Sequence, residues 1–389
     1  VVSMVKLKAS YGLVGNDQIG GDRRFIYNET VIGGGKYYFG TTPSQYTSVR
    51  LGEFPNPNVG WEKAKKFNLG ADLSFFNQLN ISVDYFKENR EGIFLQRKSI
   101  PMYVGLSTKP WVNIGKMRNS GIDASLEYHQ PLGKDLHLTV RGNFTYARNR
   151  IMDQDEPDYA YTYMNHSGQM QWQKFGLVAA GLFQDQEDID SWAKQSFGEV
   201  KPGDIKYLDL NGDGIVDNYD TKPIGYSDIP EIVYGFGFSL QWKAFDLSAF
   251  FQGVAHVSFS TLTDQTQAFV GRNLKESSVF ADLYGNTWTP ENPGAKYPRM
   301  TTGAIDNNNQ LSTFWMANGR YLRLKNLELG YTLPKRIANK IAMQSLRVYL
   351  SGVNLFTFSP FKLWDPDLQT GATNYPNNRI INLGLTIGF

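Results

Sequence analysis

The final stretch of the chain, Arg379-Ile-Ile-Asn-Leu-Gly-Leu-Thr-Ile-Gly-Phe389, constrains the fold more than any other. Ile381, Leu383, Leu385, Ile387 and Phe389 fall on one face, and Asn382, Gly384, Thr386 and Gly388 on the other. A period of two over this length makes a strand with one apolar and one small polar face. Terminal residues usually fray unless they are tied down. A strand that stays apolar to its last residue is therefore expected inside a closed sheet, gripped by neighbours on both sides. An outer-membrane β-barrel is such a sheet, and a terminal aromatic strand resembles the signal read by barrel-assembly machinery.

The alternation recurs along the chain. Val5, Leu7, Ala9, Tyr11 and Leu13 predict a first strand over 4–14. Phe67, Leu69, Leu73 and Phe75 lead through Asn77-Gln78 into Leu79, Ile81, Val83 and Tyr85, which reads as a tight hairpin. Ile122 to Tyr128 pairs with Leu136 to Tyr146, Ile232 to Trp242 with Phe245 to Phe251, and Leu327 to Leu333 with Leu346 to Leu350. The count is about ten strands. Short connections (76–78, 131–135, 243–244, and a longer one at 334–345) alternate with long ones over 15–60, 96–116, 151–229, 258–317 and 359–377. Membrane barrels have this asymmetry, with short periplasmic turns and long external loops. Phe67, Leu69, Leu73, Ile81, Val83, Leu126, Leu138, Phe236, Leu383 and Leu385 are expected to face lipid. Asp72, Asp84, Asp123, Arg141 and Asn382 are expected to face the lumen. A soluble β-sandwich or propeller explains the alternation, but its wet face would carry Lys and Glu rather than Asp, Asn, Ser, Thr and Gly.

Mean hydropathy is −0.39, and no apolar run approaches the ~20 residues of a membrane helix. Alternating barrel strands average to such a value, so it does not oppose the barrel. A net charge of +2, with no basic stripe, argues against nucleic acid. The absence of Cys removes disulfides, thiolate catalysis and thiolate metal sites.

Several motifs resemble the second half of a SusC/RagA-type TonB-dependent transporter. They are Leu7-Lys-Ala-Ser-Tyr-Gly-Leu-Val-Gly-Asn16, Asn56-Pro-Asn-Val-Gly-Trp-Glu62, Asn68-Leu-Gly-Ala-Asp72 and Asn119-Ser-Gly-Ile-Asp123. Gly203-Asp-Ile-Lys-Tyr-Leu-Asp-Leu-Asn-Gly-Asp-Gly214, Tyr321-Leu-Arg-Leu-Lys-Asn326 and Ser351-Gly-Val-Asn-Leu-Phe356 follow in matching order. The resemblance implies an all-β, plugged outer-membrane barrel of about 22 strands, of which residues 1–389 supply the C-terminal ten. It implies a SusD-like surface lipoprotein over the external mouth, and TonB acting through a plug domain. Plug and first strands are expected to lie outside this chain, which begins Val1-Val2-Ser3 without an initiator Met. Two open edges in lipid are costly, so the remaining strands are expected from the same protein or a second chain. Phe389 is then expected in the periplasm.

Within the 151–229 loop, Asp209-Leu-Asn-Gly-Asp-Gly-Ile-Val-Asp-Asn-Tyr-Asp220 matches the spacing of a calcium loop. Asp209, Asn211 and Asp213 take its first oxygen positions, Gly214 the sharp turn, Ile215 the carbonyl position, and Asp217 and Asp220 the last two. The closing residue is Asp rather than Glu, and the flanks are not helical. A metal-free loop of Asx turns is the plainer alternative, but close carboxylates repel, and a structural Ca²⁺ is the expectation. Tyr161, Tyr163, Trp172 and Trp288 are candidate substrate-facing aromatics, since such rings stack on sugars; loop packing is the plainer role. No nucleophile–base pair or metal-protease motif occurs, so no enzyme is expected. The function the resemblance implies is active import of glycan or peptide oligomers; the alternative is a passive porin or surface adhesin with a structural calcium loop.

Overall fold

The computed structural model describes residues 1–18, 23, 25–106, 108–263, 266, 280–301, 303–341, 343–372 and 374–389. Ten long strands form one antiparallel sheet in chain order, each paired with the next. They are β1 (Val2–Asn16), β2 (Glu62–Phe75), β3 (Leu79–Gln96), β4 (Trp111–Pro131) and β5 (Leu136–Asp153). The second half is β6 (Ile232–Trp242), β7 (Phe245–Ala255), β8 (Tyr321–Thr332), β9 (Ser345–Phe358) and β10 (Ile380–Gly388). No described helix is long and apolar enough to cross a membrane.

The register sorts the side chains as the alternation predicts. Leu383, Leu350, Leu329, Leu247, Leu240 and Leu138 form one transverse row across β10, β9, β8, β7, β6 and β5. One residue along each strand, the opposite face carries Asn382, Ser351, Glu328, Ser248, Ser239 and Thr139. The leucine row is open to the surroundings, with Leu383 78% exposed, so lipid is the solvent that satisfies it. The polar face pairs its charges within the wall. Lys8 Nζ lies 2.8 Å from Asp72 and 3.1 Å from Asp84, and Arg347 joins Asp246 to Glu328.

The short turns are tight because they must be. Phe76 and Asn77 both have φ of 54°, the conformation of a two-residue primed hairpin turn, closed by Gln78 N–H on the Phe75 carbonyl at 3.0 Å. Strands β3, β4 and β5 reach 18, 21 and 18 residues, well beyond their predicted ends. Crossing the hydrocarbon takes only about 9–11 residues. On β5 the outward face is apolar or glycine from Leu136 to Tyr146 and then turns to Arg148 and Arg150. At ~3.4 Å per residue that apolar span is about 34 Å along the strand, or about 25 Å tall at a tilt near 40°. Beyond it polar and apolar side chains mix on both faces, as in Arg148-Asn149-Arg150-Ile151-Met152, and the strands continue above the bilayer.

Candidate functional site

The two longest connections at the loop end of the wall fold together. Leu177, Leu182, Ile205, Tyr207 and Val216 from the 154–231 connection share one buried core with Leu283, Trp288, Tyr297 and Trp315 from the 256–320 connection. Backbone pairing joins them as well. Leu177 N–H donates to the Leu311 carbonyl and Thr313 N–H to the Leu177 carbonyl, both at 2.9 Å. Asp204, fully buried, accepts from Arg299 at 2.8 and 3.1 Å, from Asn308 Nδ2 at 2.9 Å and from Lys201 N–H at 2.8 Å. Every oxygen of this buried charge therefore meets a donor, which its burial requires. Gly203 precedes it at φ +89°, with the Trp288 ring packed where a Cβ would stand. Burial raises the Tyr207 phenol far above its usual range, and its hydroxyl donates to the Asn307 carbonyl at 2.9 Å.

The calcium-type loop lies on the flank of this assembly, and its acidic side chains bind backbone amides. Asp209 accepts from Gly212 N–H at 2.7 Å and Gly214 N–H at 2.8 Å. Asn211 accepts from Asp213 N–H at 2.9 Å, and Asp213 from Ile215 N–H at 2.8 Å. Gly212 and Gly214, at φ +78° and +84°, allow these turns. Asp217 instead caps the short helix Asn218–Asp220 through Tyr219 N–H at 2.7 Å. Asp220 is buried and turned inward, accepting from Leu210 N–H at 2.7 Å and Asp217 N–H at 2.8 Å. Among the described residues no three acidic or imidazole groups gather as a metal cage. Asp209, Asn211 and Asp213 thus come together as Asx turns, while Asp217 and Asp220 close the loop. Backbone amides solvate the carboxylates whose closeness made a cation the expectation.

The four candidate aromatics separate. Tyr161 and Tyr163 stack at 5.3 Å, Tyr219 meets Tyr161 edge-on at 6.2 Å, and the Tyr163 hydroxyl donates to the Tyr219 carbonyl at 2.7 Å. This pair is therefore a brace for the acidic loop. Burial, then the field of Asp220, Asp209 and Asp213, raises the Tyr163 phenol. Trp172 is 61% exposed at φ +65°, an unfavourable backbone for a bulky residue, and presents a free ring. Trp288 is buried in the two-loop core. Trp315 and Trp364 are also packed in loop contacts, their indole N–H groups donating to the Asn308 and Gln369 carbonyls.

A surface the sequence did not single out lies between β1 and β2. Val31–Phe39 and Ser44–Leu51 form a two-stranded hairpin, separate from the main sheet, with Tyr37, Tyr38, Phe39, Tyr46 and Val49 exposed. Phe39 meets Tyr37 in a tilted contact at 4.7 Å and Tyr46 edge-on at 5.6 Å. Its base is pinned by Gly52 N–H on the Thr30 carbonyl and Asn56 N–H on the Ile26 carbonyl, both at 2.8 Å. An isolated hairpin is marginal in water. The available signal was the aromatic run Tyr37-Tyr38-Phe39 before Gly40, with Tyr46 after it.

An alternating wall open to lipid on one face, polar on the other, with long folded connections at one end, defines a transmembrane β-barrel of the outer-membrane type. Residues 24–355 match the TonB dependent receptor-like, beta-barrel family, and the chain belongs to it. A TonB-dependent receptor of Formosa agariphila is 29% identical over 99% of the chain. The TonB-dependent receptor SusC of Bacteroides thetaiotaomicron is 26% identical over the whole chain. The chain spans about two-fifths of the length of these relatives, 39% and 38%. The structure of the RagAB peptide transporter superposes over the entire chain with a TM-score of 0.71 at 23% identity, covering 41% of that molecule, and so shares the fold. The chain is thus barrel wall of the TonB dependent receptor-like family, similar in sequence to SusC and in fold to the RagAB structure.

Proposed function

We propose that the intact protein imports oligomeric nutrients, glycan or peptide, across the outer membrane, driven by TonB through a plug domain. The observation that supports this reading is a transporter-family wall whose inner face is polar and self-paired in charge, under a folded external assembly. A SusD-like lipoprotein is the expected partner, and the aromatic hairpin 31–51 with Trp172 offers it, or the cargo, an exposed apolar surface. The edges of β1 and β10 are closed by further strands from the same protein or a second chain, because open edges are costly in lipid. In this orientation the long connections are external and Phe389 is periplasmic. Calcium in the 209–220 loop is a separate proposal. It rests on the sequence spacing and on the carboxylate lone pairs that the amides leave over.

The test is uptake of labelled oligosaccharides and peptides by cells carrying or lacking the gene, each with and without TonB. Import that needs both supports the reading. Import that persists without TonB establishes the passive porin, and adhesion without import establishes the adhesin.

A further inference from the structure

The outward face of the wall is not uniform around its circumference. At the loop end of β2–β5, the row Leu69, Tyr85, Ile122 and Tyr146 closes the apolar band. The next row is Phe67, Lys87, Ser120 and Arg148, and the one beyond it is Lys65, Asn89, Arg118 and Arg150. Lys63 and Lys116 follow on the same face, opposite Glu91. The acids there are few. Glu91 pairs with Lys65 at 3.1 Å, Asp153 lies opposite Lys116, and Arg148 is committed to Glu231. Arg118 spends one N–H on Asn89 at 3.2 Å, and Arg150 one on the Gly168 carbonyl at 3.1 Å. Lys63, Lys87 and Lys116 make no ion pair among the described residues, and Lys63, Lys116, Arg118 and Arg150 are exposed. The band-closing row continues from Tyr146 through Ile232 and Ala255, where β6 and β7 end, so these two strands carry no outward row beyond it.

An apolar row that passes within one residue pair into rows rich in cations, of which Lys87, Arg118 and Arg150 have no acid partner among the described residues, matches a molecule with acyl chains below and phosphate above. With adjacent strands ~4.8 Å apart, Lys65 and Arg150 stand about 14 Å apart across the sheet, the width of a large headgroup. Guanidinium groups clasp phosphate in bidentate fashion, which suits Arg118 and Arg150. We propose that this patch on β2–β5 holds an anionic, phosphate-bearing lipid of the outer leaflet. Its acyl chains lie along Leu69, Tyr85, Ile122 and Tyr146, and its phosphates meet Lys65, Arg118 and Arg150. The proposal rests on the wall standing in the outer membrane and does not depend on what is transported.

The test places the full-length transporter in nanodiscs of phosphatidylethanolamine doped with diphosphorylated lipid A, or with the same lipid after dephosphorylation. Bound lipid is counted by native mass spectrometry. The unaltered protein should retain the phosphorylated lipid at least about tenfold better, since each surface cation adds to attraction for anionic lipid. The combined Lys65→Glu, Arg118→Glu and Arg150→Glu variant should lose that preference. A variant carrying Lys134→Glu and Arg336→Glu, at the short-turn end, should keep it. Equal retention of both lipids by the unaltered protein overturns the proposal even if the triple variant fails to assemble. Displacement of the lipid by inorganic phosphate would overturn it too, in favour of a free-anion site. Uptake assays play no part, so transport and lipid binding fail separately.

Discussion

The wall and the loop assembly solve opposite problems with the same residue types. In the wall, Leu329, Leu350 and Leu383 stand open, at 51%, 50% and 78% exposure, and the charges turn inward to pair with one another. In the assembly, Leu177, Tyr207 and Trp315 are sealed at 1%, 0% and 3%, and the buried charges Asp204 and Asp220 are boxed in by donors. The wall is thus a structure whose core is the bilayer, and the assembly is a water-soluble fold mounted on its rim. Each should fail under conditions that spare the other.

The largest separation should come from Asp204→Ala. It takes the carboxylate from the half-buried Arg299 and the acceptor from Asn308 and Lys201 N–H, a change that costs about 3 kcal/mol. Hydrogen exchange should accelerate over 177–216 and 283–315 while the wall stays protected. Unchanged protection there would show that the assembly does not depend on this pair. Leu383→Arg is the converse, costing about 2–4 kcal/mol near the bilayer midplane, with Asn382→Arg far milder because it faces the lumen. Equal losses for the two variants, measured by refolding into lipid, would collapse the distinction between faces.

A smaller effect comes with acid. Hydrogen bonds from Lys296 and Tyr297 hold the Asp282 carboxyl below its usual range. A depressed folded value stabilises the fold above the ordinary aspartate value near 4 and loses that contribution as pH falls through the folded one. The assembly should therefore loosen below about pH 4 before the wall does, as near-ultraviolet dichroism in detergent can follow. Least of all is calcium. At external concentrations near the dissociation constant of a weak site, it should stabilise the 209–220 loop by about 1 kcal/mol. Elemental analysis should find it in the unaltered protein and not in Asp213→Ala. Calcium-free protein with the same thermal midpoint would leave the loop to its amides alone.

The wall was legible because its rule is local. Every second residue of Ile381–Phe389 or Leu136–Tyr146 meets lipid, and that period survives in the sequence. Strand ends were missed where the rule stops, above Tyr85 and Tyr146, since both faces there meet water. The assembly obeys no period. Asp204 and Arg299 are 95 residues apart, and nothing local tells Trp288, which packs on Gly203, from Trp172, which stands free. The acidic spacing at 209–220 was read as a calcium loop, with a metal-free loop of Asx turns as the alternative, and spacing does not reveal that Asp209, Asp213, Asp217 and Asp220 each accept a backbone amide.

The shared core also has a mechanical meaning. The two connections leave the sheet at Asp153, Ile232, Ala255 and Tyr321, the ends of β5, β6, β7 and β8, which are consecutive around the rim. With strands ~4.8 Å apart, these four footings span about 14 Å. A push on any point of the assembly is therefore shared among four strand ends at once. Bending one loop alone would require breaking the common core, so a load from outside arrives at the wall as a torque on a stiff bracket.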